Sequence, residues 1–141
     1  MLQPFSREHH TFLIVAQLLK YNSPAYKGLP TDTKVKVNYA LQIYASQMLS
    51  HWKEEEEKLF AYLKGMNAKL DGLIHILEDD HEELRHRFEQ LSGDLNLELA
   101  MNHLGELLEL HIRMEERELF EKVQAVLSEK DWHDLKETLK Q

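Results

Sequence analysis

The chain has 141 residues, 43% of them hydrophobic and 30% charged, a balance that suits one globular domain with a substantial core. Its formal net charge of −8 argues against nucleic acid or an anionic membrane as a bulk electrostatic partner, and the lack of cysteine excludes disulfides, thiolate metal ligands, iron–sulfur ligation and thiol redox chemistry. No stretch long enough to span a bilayer is free of charges, and the opening MLQPFSREHH lacks the basic-then-apolar pattern of a signal peptide, so a soluble cytoplasmic protein is the default expectation.

Three prolines and five glycines are few breakers for this length, which favours long helices. The first helix is predicted over residues 5–21, with Ser6 or Pro4 near its start. The stretch NSPAYKGLP, residues 22–30, holds two of the three prolines and reads as a loop. Thr31 or Asp32 can cap a second helix, which meets no breaker before Gly65. Val35-Lys36-Val37 alternates briefly but flows into apolar positions at helical spacing, so no strand is predicted there. Asn67 or Asp71 opens a third helix that ends near Leu91, before Ser92-Gly93. A fourth runs from about Asp94 to Leu127, and Ser128 with Asp131 is spaced as a capping pair for a short fifth helix over residues 129–139. Gly72 and Gly105 fall inside helices, where each costs about 1 kcal/mol relative to alanine; close helix packing is the expected reason. Short links between long helices make sequential neighbours antiparallel. The expected fold class is therefore all-α: an up-down-up-down four-helix bundle with a short C-terminal fifth helix, as one domain over residues 1–141.

Two stretches repeat. Residues 51–60 read HWKEEEEKLF and residues 111–120 read HIRMEERELF, so His, Glu, Glu, Leu and Phe recur at the same offsets sixty positions apart. An isolated HxxxE is most often a surface ion pair, but a solvated face has no reason to repeat. Residues four apart on an α-helix lie about 40° apart in angle and roughly 6 Å along the axis. His51 and Glu55 thus share a face, as do His111 and Glu115. Imidazole with carboxylate suits iron, manganese or zinc, and the two oxygens of each carboxylate can bridge two ions.

The other helices must supply ligands at the same depth. His81, in DDHEEL, and His51 are both fifteen residues from the turn near residue 66, which sets them level in an antiparallel hairpin. The midpoint of 81 and 111 is residue 96, close to the turn after Gly93, and the midpoint of 9 and 51 is residue 30, at the end of the Pro/Gly loop. The first helix offers His9 and His10. His9 lies closer to the apolar face of Phe12, Ala16 and Leu19, whereas His10 points toward Gln17; register is loosely fixed at a helix start, so both remain candidates. Glu54, Glu56, Glu57, Glu116 and Glu118 read as solvated or paired with Lys53, Lys58 and Arg117, with Glu56 and Glu116 the alternative ligands should the register shift by one. His86, His103 and His133 read as ordinary surface histidines, His75 points away from His81, and Trp52, Leu59, Phe60, Leu119 and Phe120 read as core.

The order H, HxxxE, H, HxxxE is carried by REHH (7–10), HWKEEEEKLF (51–60), DDHEELR (79–85) and HIRMEERELF (111–120), and it resembles the hemerythrin-like family, or HHE cation-binding domains, over residues 5–127. The resemblance implies a non-haem di-iron centre, oxo- or hydroxo-bridged, with Glu55 and Glu115 as bridging groups. It implies His51, His81, His111 and one of His9 or His10 as terminal ligands. The implied partner is a small diatomic, oxygen or nitric oxide, or a peroxide, with the handling of iron itself as a related role; binding or sensing is expected ahead of enzymatic turnover. Zinc and manganese are compatible with the same ligand types.

The sequence departs from the family at one point. Oxygen-carrying hemerythrins have an HxxxH pair on the third helix, whereas Leu77 stands four before His81, leaving Glu78 or a water to complete that site and arguing against simple reversible oxygen carriage. Iron-centre repair proteins of the family typically carry a cysteine-bearing segment, and this chain has no cysteine. A ferritin-like oxidase would need ExxH on two helices, and Glu78-x-x-His81 has no aligned second copy. The main alternative is a metal-free or zinc-bound helical interaction module whose histidines sense pH.

Overall fold

A computed structural model describes residues 2–21, 23–25 and 27–140; Asn22 and Tyr26, both within the predicted loop, lie outside the described residues. The fold is all-α, with no strand among the described residues. Helix α1 is Gln3–Leu19, α2 covers residues 33–63, α3 is Ala68–Gln90, α4 covers residues 97–126 and α5 is Glu129–Lys140.

Local chemistry sets the ends of these helices. Pro4 sits in the first turn of α1, where a missing N–H costs nothing, and α1 starts two residues earlier than predicted. Asp32 caps α2 by accepting from the backbone N–H groups of Lys34 and Val35 at 3.0 and 3.2 Å. Gly65, at φ +89°, follows α2 in the left-handed region that a side chain would strain. Asn67 caps α3 through Lys69 and Leu70. Helix α4 begins at Leu97 rather than near 94, because a 3₁₀ turn holds Leu91–Gly93 and the Asn96 side chain caps Leu99 at 3.2 Å. Ser128 and Asp131 bond reciprocally at the start of α5, each side chain accepting from the other's backbone N–H.

Helix α1 packs along α4 and α2, and α3 along α4. A Cβ on Gly105 would lie 2.6 Å from the Ala16 carbonyl oxygen, so only glycine allows α1 and α4 to approach this closely. Gly72 has no such role. It is exposed on α3, and a Cβ there would meet nothing within 4 Å.

The buried apolar residues form two separate clusters. One contains Phe12, Trp52, Phe88 and Leu108; the other contains Phe5, Phe60, Leu77 and Phe120. Rings from both clusters close on a layer of buried polar residues: His9, His51, Glu55, His81, His111 and Glu115. In both repeats the helix switches from α to π geometry at the glutamate, over Glu55–Phe60 and Glu115–Phe120. Apolar periodicity does not distinguish a π turn from an α turn, and such turns concentrate at functional sites.

The two glycines make opposite predictions. Gly105→Ala forces a backbone contact apart and lowers stability by about 1–3 kcal/mol despite alanine's helix preference, whereas Gly72→Ala raises it by about 0.5–1 kcal/mol. Chemical denaturation of the two variants beside the parent checks both signs.

Candidate metal centre

Four helices each contribute to the polar layer. His9 comes from α1, His51 and Glu55 from α2, His81 from α3, and His111 and Glu115 from α4. None is more than 3% exposed, so bulk water does not solvate them. His10, one residue from His9, is exposed and outside the layer, because the turn that points His9 inward swings its neighbour to solvent. Glu78 also stands apart, paired with Lys64 at 2.9 Å, and Leu77 is buried in the apolar core. His75, His86, His103 and His133 are all exposed, while Trp52, Leu59, Phe60, Leu119 and Phe120 are buried.

The six residues divide into two overlapping groups, His9–His51–Glu55–Glu115 and Glu55–His81–His111–Glu115, each offering ligand atoms within 4.8 Å of one another. Both glutamates are shared, and each splits its oxygens between the groups. Glu55 Oε2 lies 3.3 Å from His51 Nε2 while its Oε1 lies 3.3 Å from His81 Nε2. Glu115 Oε1 lies 3.8 Å from His9 Nε2 while its Oε2 lies 3.5 Å from His111 Nε2. His9 and His51 aim their Nε2 atoms at one another across 3.2 Å.

The outward nitrogen of every imidazole is held by a carboxylate. Nδ1 of His51 bonds Glu8 at 3.2 Å, Nδ1 of His81 bonds Glu56 at 2.9 Å, Nδ1 of His111 bonds Asp80 at 3.0 Å, and Nδ1 of His9 bonds Glu116 at 2.7 Å. The bonds run in a closed ring: α1 supports the histidine of α2, α2 that of α3, α3 that of α4, and α4 that of α1. A carboxylate on Nδ1 fixes the neutral tautomer with its proton there and turns the Nε2 lone pair inward, as metal-bound histidines require. Glu56 also accepts from Arg85 at 2.9 Å, and Glu116 from the Ser6 hydroxyl at 3.1 Å.

These four acids are the part of the site that sequence reasoning missed. Neither Glu56 nor Glu116 pairs with Lys53, Lys58 or Arg117 or joins the inner ligand groups; each reaches the outward nitrogen of an imidazole, and Glu56 also holds Arg85. Signals existed, since both lie inside the repeated motif, and Glu8 and Asp80 each directly precede a layer histidine.

Burial and charge oppose one another throughout the layer. Burial disfavours the charged forms of His51 and His81, but Glu55 with Glu8, and Glu55 with Glu56, outweigh it and raise both above the usual imidazole value. Burial wins at His111, whose pKa is lowered in spite of Asp80. At Glu55 burial is outweighed by His51 and His81, which hold the carboxyl well below its usual range. Glu116 is lowered chiefly by its bond to His9, against burial.

This donor set fits a pair of cations. Both oxygens of Glu55, both of Glu115, and the Nε2 atoms of His81 and His111 are buried without any hydrogen-bond partner. Buried polar groups are almost always satisfied, and an uncompensated buried carboxylate costs on the order of several kcal/mol. A cation in each group would satisfy these atoms together and separate the facing nitrogens of His9 and His51.

No curated protein and no solved structure matches the chain. A family model does: the hemerythrin HHE cation-binding domain, over residues 2–123. That span takes in α1 to α3 and nearly all of α4, with every residue of the polar layer inside it. The chain belongs to the hemerythrin HHE cation-binding domain family.

Proposed function

We propose that the chain is a non-haem di-iron protein that binds or senses a small diatomic or a peroxide, built as one up-down-up-down four-helix bundle with an appended α5. The observation that carries this reading is the division of two buried carboxylates between two pairs of imidazoles. His9 and His51 would hold one ion, His81 and His111 the other, and Glu55 and Glu115 both.

Each ion would then have four protein donors. That number would complete a tetrahedral zinc site, whereas iron, which takes more ligands, would keep room for an exchangeable small molecule. Iron is favoured by the family likeness, and bound iron would supply redox chemistry and an affinity for oxygen, nitric oxide or peroxide. Because Glu78 faces Lys64 rather than the layer, neither ion would gain a fifth protein donor from it. Two open sites favour sensing, scavenging or iron handling over simple oxygen carriage.

The protein's own groups do the rest. The ring of outer acids holds each Nε2 inward and strengthens it as a donor. Phe5 and Phe12 pack edge-on against His51, Phe120 stacks on His9, and Trp52 and Phe60 stack on His81, which limits water around the ligands. A metal-free interaction module is disfavoured by carboxylate oxygens buried without a hydrogen-bond partner.

Reconstitution with ferrous iron under reducing conditions is expected to give two irons per chain, with near-ultraviolet absorption from oxo-to-iron charge transfer after air oxidation. His51→Ala combined with Glu55→Ala abolishes both signals; unchanged iron in that variant would reject the assignment. Two tightly held zinc ions with no iron uptake would favour the zinc site. Asp80→Asn, which leaves every proposed ligand in place, lowers metal affinity by about 10–100-fold, measured by competition with a chelator.

The pH response separates the metal-free and loaded forms. His51 and His81 are raised above 6.5 in the folded state, so their contribution to metal-free stability is complete below 6.5 and is lost as pH rises through their folded values. The lowered His111 acts in the window below 6.5, and the lowered Glu55 at still lower pH. Above 6.5 the melting temperature of chelator-treated protein therefore falls with pH, while that of loaded protein rises relative to it as protons cease to compete for the imidazoles. Superimposable melting curves across this window would count against metal coupling.

A further inference from the structure

Outside the ligand layer, two buried oxidisable rings, Trp52 and Tyr44, lie in contact on α2. The Trp52 indole, 1% exposed, stacks on His81 with ring centroids 5.2 Å apart and planes 24° apart. The Tyr44 ring lies 6.0 Å from Trp52, and its hydroxyl donates to Glu89 Oε2 at 2.7 Å. Glu89 is exposed, so this continuous contact path leads from an imidazole of the metal layer to solvent.

Packing alone does not explain both rings. The offset of sixty that relates the two repeats pairs Trp52 with Ile112 and Tyr44 with Leu104, and all four residues are buried. Aliphatic side chains meet the packing need on α4, whereas α2 carries two oxidisable rings in contact. Phe88 stacks on Tyr44 at 4.6 Å and holds it in place.

We propose that Trp52 and Tyr44 form a one-electron relay joining His81 to the surface carboxylate Glu89, through which Tyr44 is oxidised when a peroxide is reduced at the centre. The proposal rests on the di-iron reading. Peroxide takes up two electrons and two protons to give two waters; Tyr44 would supply one electron, one ferrous ion held in the layer would supply the other in becoming ferric, and solvent the protons. The electron leaving Tyr44 passes through Trp52, which is restored. The phenolic proton moves to Glu89 Oε2, leaving a neutral tyrosyl radical beside a carboxylic acid.

The surroundings set the direction. The Arg85 guanidinium lies 5.8 Å from the centre of the Trp52 ring, and its charge disfavours a cationic indole radical, so oxidation passes on to Tyr44. Burial and the Glu89 carboxylate raise the Tyr44 pKa, so the phenol keeps its proton until oxidation releases it to Glu89. The relay draws damaging oxidation away from the ligands to a site from which an external reductant can repair it.

The test uses the full chain loaded with iron and assayed for metal content. After hydrogen peroxide and rapid freezing, electron paramagnetic resonance is expected to show a tyrosyl radical, which Tyr44→Phe removes. Trp52→Phe and Glu89→Gln lower its yield, and peptide mapping places oxidised products on Tyr44 and Trp52. Tyr44→Phe retains the ring that packs on Phe88, so its iron content stays at the parental value and its melting temperature falls only slightly, through the lost Glu89 bond. An undiminished radical in Tyr44→Phe, or none in the parent with two irons bound, overturns the relay and leaves the di-iron reading standing. A chain that takes up no iron ends both.

Discussion

Two carboxylates shut off from bulk solvent and without a hydrogen-bond partner dominate this molecule. Glu55 and Glu115 are 0% exposed, and all four of their oxygens lack a hydrogen-bond partner. Charge buried in this way is tolerated only against opposite charge. The layer imidazoles supply some when protonated, but burial works against their protonation, and at His111 it prevails. The proposed pair of cations would resolve the conflict, because neutral imidazoles and ionised carboxylates would then all be in their preferred states.

The rest of the fold accommodates that layer. The apolar core is split into two clusters that meet around it, and the helices are held at matching depth by the carboxylate ring. Every bond of the ring crosses between two helices, so it ties α1 to α4 into a cycle as well as fixing tautomers. The Gly105 contact brings α1 against α4 beyond the layer, and Asn102 of α4 secures the chain just after α1 by accepting from the Tyr21 backbone N–H at 2.8 Å.

Much of this was legible in the sequence because it rests on periodicity and punctuation. Asp32, Gly65, Asn67 and the Ser128–Asp131 pair mark helix ends through local bonding rules that need no tertiary context. The HxxxE repeat and the distances of histidines from turns singled out the layer, since in antiparallel helices equal distance from a turn means equal depth. The ambiguity of His9 and His10 could not be settled there, because one residue of register at a helix start decides which ring turns inward. The outer acids were hidden for another reason. A glutamate that reaches an imidazole on the next helix looks, in one dimension, like any other acid of a charged face. The π turns were hidden because a widened turn leaves the apolar pattern almost unchanged.

The central claim, two cations sharing Glu55 and Glu115, is tested most directly by anomalous diffraction from crystals of the iron-loaded protein. The account predicts two iron peaks between those carboxylates, one beside His9 and His51 and the other beside His81 and His111. A single peak, or iron bound only at surface carboxylates while the layer stays closed on itself, would contradict it.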